Sequence, residues 1–444
     1  MWRVLFLGLI MVIISGCGLS SAGAIAADPA DPLTTASLPP VNPDISDAPI
    51  TLEVWLDLDF TRDNSLYDEL AEEFEAAYPQ VDVKIFSFVR ESIPRRVELE
   101  VLSAVPPDVV MGHVYAMAGR GLAEPLEDQW AAWERQQPDA SSQFLPAAMN
   151  EVTWQNERYG VPLDIYTIIL LYNREHFDQA GLAYPEGEYD LFYLPQAAEI
   201  LSDPVAGRFG FGLTTDPWYA SVWFTGAGGD LITGSPDEGY NLTFNTGRNV
   251  ETLFFLTQMV DNGIAALPSS RPRDYEETRR LFLDGKISMY FAETQDIHLI
   301  QSTNPDFPLG VSHLPLTPAK DRAESVLGSS GLFVPRGAAN KQVAFEFIKW
   351  MVSDRYVLPM ARRQGRYPAK TWLQTSPEFT KNLSLLPFFD QLNSAQPYRL
   401  DLFPDAEEAF SNALKSAYYD LGTPNEVLQA AQFEGQNSML ESTP

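Results

Sequence analysis

Ile50-Thr51-Leu52-Glu53-Val54-Trp55 alternates apolar and polar residues, as a half-buried strand does. From Ser65 to Tyr78 the pattern changes, and Leu66, Leu70, Phe74 and Ala77 recur on one helical face. Asn64 or Ser65 is placed to cap this helix, acidic residues fill its first turn, and Pro79 ends it. Val81-Asp82-Val83-Lys84-Ile85 alternates again. Pro106-Pro107 then stops a helix, and Asp108-Val109-Val110-Met111 reads as a short buried strand. Strand, helix, strand, helix, strand in this order predicts an α/β fold with a mostly parallel central sheet flanked by helices.

The pattern continues downstream. Residues 249–262 predict a helix with Leu253, Leu256 and Met259 inward, closed by Gly263. Residues 276–283 predict another, ended by Asp284-Gly285, and residues 287–291 a strand. A capped helix starts near Asn340 and buries Val343, Phe347, Trp350 and Met351. The chain from Ile50 onward, about 395 residues, exceeds the size at which one core stops growing, so two lobes are expected. There is no internal repeat.

The region before Ile50 reads differently. Arg3 is followed by an apolar run from Val4 to Ile14 and by Ser15-Gly16-Cys17. A positive start, a short apolar core and small residues predict a signal peptide over 1–16. The run is too short for a transmembrane helix, which needs about 20 residues. The pattern resembles a bacterial lipoprotein signal, which implies a palmitate-type lipid on Cys17 as the new N-terminus. Residues 18–49 are rich in Ala, Ser, Pro and Asp and predict a disordered tether reaching roughly 30 Å.

Composition excludes several chemistries. Cys17 is the only cysteine, so once lipidated it leaves no thiol for a disulfide, a zinc site or a nucleophile. The four histidines, His113, His176, His298 and His313, lack the spacing of a helical metal pair. There is no nucleophile elbow or phosphate-binding loop, and Gly207, Gly210 and Gly212 miss the dinucleotide spacing. No cofactor is expected. Asp57, Asp59, Asp63 and Asp68 suggest a calcium loop, but Arg62 stands where its turn needs glycine, so no metal is assigned. Sixty acidic residues against 30 basic ones give a net charge of −30, which repels nucleic acid. No Lys or Arg lies between Val4 and Thr61, so membrane contact rests on the lipid alone.

Six short segments, in order, resemble the extracellular solute-binding protein family 1, the sugar-binding lipoproteins of ABC importers. They are Pro106-Pro107-Asp108-Val109-Val110; the run Tyr159-Gly160-Val161-Pro162, Leu171-Tyr172-Asn173-Arg174 and Ala180-Gly181-Leu182 with Pro185; Phe282-Leu283-Asp284-Gly285-Lys286-Ile287-Ser288-Met289; Gly310-Val311 with Leu314-Pro315; Ala344 with Phe347, Ile348 and Trp350; and Arg366-Tyr367-Pro368-Ala369. The resemblance implies a two-lobed periplasmic-binding-protein fold (type II). It implies an N-terminal lobe of 50–172 plus 315–352 and a C-terminal lobe of 173–310 plus 353–440. Tyr172-Asn173 and His313 to Pro315 would lie near the hinge crossings. It further implies an extracytoplasmic monomer, lipid-anchored through Cys17, that hands a solute to ABC permease subunits.

Sugar sites pair aromatic faces with carboxylates and amides that accept hydroxyl hydrogen bonds. Asp216-Pro217-Trp218-Tyr219 with Trp223-Phe224 has this composition, and by resemblance Asp216, Trp218 and Trp223 are ligand candidates, whereas Phe224 reads as core. Open α/β sheets bind ligands beyond the C-terminal ends of their strands. That rule adds Asp57, Asp59, His113, Tyr115, Glu293 and Gln295. The resemblance adds Asp164 and Tyr166 near the hinge, and Arg366. The loop 292–296 lacks the tryptophan the family often carries there, which weakens a maltose-like expectation.

The leading reading is a binding module for a small solute, a sugar or oligosaccharide. An acidic cleft also suits a polyamine or other cation and disfavours phosphate esters. The alternatives are a secreted glycoside hydrolase, which needs two carboxyls about 5–10 Å apart across a cleft, and a surface lipoprotein that binds another protein.

Overall fold

The computed structural model describes residues 38–57, 65–186, 189, 193–268, 274–316 and 324–442. The signal segment, Cys17, most of the tether and Asp59 lie outside these residues.

The alternation that opens the chain becomes strand β1 (Ile50–Asp57), helix α1 (Ser65–Ala77) and strand β2 (Val81–Phe88). Helix α2 (Ile93–Leu102) and strand β3 (Val109–Gly112) follow, then β4 (Gly160–Pro162) and β5 (Tyr166–Asn173). Next come α3 (Tyr193–Leu201), β6 (Phe209–Gly212), α4 (Pro217–Gly226), β7 (Ala265–Ala266), α5 (Asp274–Leu283) and β8 (Ile287–Glu293). The last third supplies β9 (Leu309–Ser312), β10 (Val326–Gly328), β11 (Gly331–Phe333), α6 (Lys341–Met351), α7 (Asp354–Gln364), β12 (Gln396–Pro397), α8 (Pro404–Tyr418) and α9 (Pro424–Ser442).

These strands form two main sheets. The first has the order β2-β1-β3-β11-β4. The second has the order β7-β6-β8-β5-β10-β12, with β9 also paired to β5. Strands linked through helices pair in parallel, β1 with β2 and β3, and β6 with β7 and β8. Every antiparallel pairing in the two sheets involves β5 or β11, the strands by which the chain enters a sheet from the other half. All eight residues of β5 are buried, which accounts for its continuous apolar run Ile168-Ile169-Leu170-Leu171. Helix α1 buries Leu66, Leu70 and Phe74, and the Phe74 ring meets Phe347 and Trp350 of α6 at 5.2 and 5.3 Å. Asn340 does open α6, but its side chain donates to the Thr51 carbonyl at 3.3 Å instead of capping the helix.

The chain passes between the sheets at residues 163–165 and 329–330. The resemblance placed the crossings at Tyr172-Asn173 and around His313 to Pro315. In the structure β5, β9 and β10 all pair within the second sheet, so the first crossing precedes residue 166 and the second follows residue 328. A third segment, residues 366–369, lies beside the two crossings. Leu163 N–H donates to the Ser330 carbonyl at 2.9 Å, and Ile165 N–H to the Tyr367 carbonyl at 2.9 Å.

Asp164 ties the three segments together. One carboxylate oxygen accepts from Ser330 N–H at 2.8 Å, and the other from Arg366 Nε at 2.6 Å. The side chains of Arg366 and Asp164 are 0 and 2 % exposed. Two charges this far from water are tolerated only as a pair, and removing one partner costs about 3–5 kcal/mol. Arg366→Met is therefore expected to lower the midpoint of urea unfolding by an amount equivalent to about 3–5 kcal/mol, followed by circular dichroism. A midpoint within error of the parent would refute this role.

Candidate functional site

A cleft of about 1330 Å³ lies between the two halves. Several strand ends contribute to its lining: Asp57 ends β1, His113 follows β3, Thr215 to Tyr219 follow β6, and Glu293 ends β8. This is where the strand-end rule expects a ligand. The C-terminal stretch adds Tyr398, Asp401 and Glu407.

The entry to α4 is built by capping. The Asp216 side chain accepts from Trp218 N–H at 3.0 Å, and Pro217 occupies the first helical turn, where its missing N–H costs nothing. Trp218 is thereby fixed at the mouth of the helix. It is 8 % exposed and packs against Tyr166 at 5.8 Å and edge-on against Tyr398 at 5.1 Å. Tyr219 stacks on Tyr275 at 3.6 Å, 8° from parallel. Tyr275 is held in turn by its hydroxyl on Asp296, which also accepts from Tyr290 at 3.0 Å and Arg279 at 2.9 Å.

Charged groups line the same space. Arg90 donates to Asp57 at 2.8 Å and lies 3.7 Å from Glu293, so it spans the two halves. His113 stands with Nε2 2.8 Å from the Tyr166 hydroxyl and Nδ1 3.1 Å from Asp401. Burial opposes its charge, but the hydrogen bond and attraction of Asp401 outweigh it and raise the imidazole above its ordinary value. Burial, reinforced by the charge of Glu407, pushes the Asp216 carboxyl up to about 8. Burial likewise pushes Glu407 up to about 7, opposed by the hydrogen bond that the Tyr398 hydroxyl donates at 2.6 Å. Glu293 is raised by burial, with Arg90 opposing. Among the described residues no three His, Asp or Glu side chains gather as metal ligands do.

The structure brings Asp57, His113, Tyr166, Asp216, Trp218, Glu293 and Gln295 together in the cleft lining, with Gln295 donating to Glu293. Four other sequence candidates lie elsewhere among the described residues. Asp164 and Arg366 form the buried pair at the crossings, where each neutralises the other's charge. Trp223 faces the core, against Phe211 at 5.2 Å and Phe291 at 4.8 Å. Phe224 is core as expected, against Phe410 at 5.2 Å. Tyr115 lies outside the lining. Its hydroxyl meets that of Tyr240 at 2.8 Å, and the Arg399 guanidinium lies 3.6 Å from its ring centre. Asp59 falls outside the described residues. The sequence reading missed Arg90, Tyr219, Tyr275, Tyr398, Asp401 and Glu407. Arg90 follows the end of β2, so the strand-end rule applied there would have found it. Nothing local marks residues 398–407, which reach the cleft only through the tertiary path of the chain.

Residues 69–386 match the family model described as bacterial extracellular solute-binding protein. A putative binding protein of Brucella abortus is 20% identical over 377 residues, covering 82% of this chain and 87% of that protein. The diacetylchitobiose binding protein DasA of Streptomyces coelicolor is 24% identical over 350 residues, 73% of this chain and 75% of that one. Among solved structures, a solute-binding protein from Thermotoga lettingae bound to alpha-D-tagatose superposes with a TM-score of 0.75 at 20% identity, covering 88% of this chain and 99% of that chain. The GacH receptor of Streptomyces glaucescens, solved unliganded and with acarbose, gives 0.74 at 21% identity with the same coverage. With the match spanning well over half of its length, the chain belongs to the family of bacterial extracellular solute-binding proteins.

Proposed function

We propose that this protein is the extracytoplasmic binding component of an ABC importer, which encloses a sugar or oligosaccharide between its halves and passes it to permease subunits. The observation that carries this reading is the cleft at the strand ends, whose lining sets Trp218, Tyr166 and Tyr398 among carboxylates. Flat aromatic surface suits the C–H face of a pyranose, and carboxylates accept from its hydroxyls. A volume of about 1330 Å³ is ample for an oligosaccharide. Relatives named for diacetylchitobiose and maltotriose support a saccharide here, and another is named for the sugar alcohol mannitol.

The family and its solved neighbours are binding proteins, which supports a chain that breaks no bond in its solute. The chain acts as a monomer. Hinge closure around a ligand is the mode of periplasmic binding proteins, and only a ligand that contacts both halves more favourably when they are closed shifts that equilibrium. Asp57 and His113 on one side and Asp216, Trp218 and Glu293 on the other provide such two-sided contact. No helix among the described residues is long and apolar enough to cross a membrane. A lipid on Cys17, with the Pro-rich tether behind it, holds the protein at the membrane surface.

Two outcomes follow. Trp218→Ala weakens binding of an identified saccharide by about tenfold or more, the loss typical of a truncated anchoring aromatic, while the melting transition stays cooperative. Calorimetry showing unchanged affinity would reject this placement of the ligand. Cys17→Ser moves the protein from the membrane fraction to the soluble fraction and abolishes labelling by a palmitate analogue, and equal labelling of both forms would refute the anchor.

A further inference from the structure

Among the described residues the cleft lining carries twelve Asp or Glu side chains and five Arg or Lys side chains. The two arginines nearest the strand ends are already matched, Arg90 by Asp57 and Glu293 and Arg279 by Asp296. Around Trp218 the balance is more one-sided. Among the described residues no Arg or Lys comes within ion-pair distance of Asp216, Asp401 or Glu407; His113 does so at Asp401, which Arg120 and Arg399 attract from farther away.

Buried polar atoms without a partner among the lining residues include the indole N–H of Trp218, Oδ1 of Asp401 and one guanidinium nitrogen of Arg120. Leaving such groups unmade in a dry site is costly, so a solute that supplies both an acceptor and a donor gains there. The raised carboxyls of Asp216 and Glu407 report the same shortage. Burial holds both up; Glu407, Asp274 and Glu293 repel the charge of Asp216 against the Trp218 N–H bond, and Asp401 repels that of Glu407 against the Tyr398 hydrogen bond and His113. A cation placed among them favours their ionised forms. Trp218, Tyr166 and Tyr398 supply aromatic rings in the same lining, and a ring face turned to a cation attracts it.

We propose that the solute held beside Trp218 is a carbohydrate bearing a protonated amine, its ammonium set among Asp216, Asp401 and Glu407 and one of its oxygens accepting from the Trp218 indole. This rests on the carbohydrate reading above and narrows it to amino sugars and their oligomers.

The test is titration calorimetry on the full chain at neutral pH with four probes: a glucosamine disaccharide, its N,N′-diacetyl counterpart, cellobiose and spermidine. The expected result is that the glucosamine disaccharide binds about tenfold or more tighter than either neutral disaccharide, with an affinity that falls as salt rises. Glu407→Gln and Asp401→Asn, each checked for cooperative melting, reduce that advantage. Neutral disaccharides binding as tightly as the amine overturn the inference and leave the carbohydrate reading standing. Spermidine binding with no saccharide bound overturns the carbohydrate reading and this proposal with it, as does the failure of all four probes.

Discussion

Arg366 and Asp164 lie 202 residues apart in sequence and share one ion pair at the place where three segments of chain run side by side. Neither charge survives there alone, because burial in a low-dielectric interior is tolerated only with a matched partner. The second oxygen of Asp164 holds the backbone of Ser330, and the Asp164 carbonyl accepts from the Ser329 hydroxyl at 2.7 Å. One carboxylate thus aligns both crossings and the segment beside them. Each half of the molecule leaves from this bundle, so the position of one cleft wall relative to the other is set here. The direct charge pair also explains why two residues carried over as ligand contacts are not in the cleft at all.

From that bundle outward, the site follows from sheet geometry. Parallel strands point their C-terminal ends the same way, and the side chains that follow them line one surface. What this chain places there is unusually acidic, yet the aromatic groups are well ordered. Asp216 fixes Trp218 by capping, and Asp296 fixes Tyr275, which stacks on Tyr219. Acids with hydrogen-bond work hold the rings in place. Asp216 and Glu407, which accept from Trp218 N–H and the Tyr398 hydroxyl, are crowded against other carboxylates in the same lining.

Much of the fold was legible because its signals are local. The alternation of residues 50–55 and 81–85 and the apolar face of α1 are properties of short windows, and β1, α1 and β2 formed where they were read. Asp57, His113 and Glu293 were legible by the same logic, being the residues that follow apolar runs. Trp223 was not. Nearly every side chain of α4 is buried, so spacing along the helix does not separate the face toward the cleft from the face toward Phe211. Tyr398, Asp401 and Glu407 were invisible for a different reason. They come to the cleft from beyond the third segment at the crossings, and no local pattern records a path through three-dimensional space. The crossings themselves were displaced because strand β5 reads equally well as the end of one sheet or the start of another. Only its pairing with β8, β9 and β10 decides.

Arg90 has unequal bonds to the two walls. Its hydrogen bond to Asp57, at 2.8 Å, joins two parts of the same wall; its contact with Glu293, at 3.7 Å, is an attraction beyond hydrogen-bond range. The same guanidinium lies 5.8 Å from the centre of the Tyr166 ring on the second sheet. One side chain thus staples the rims of both sheets, so a change of charge at residue 90 is felt on both at once.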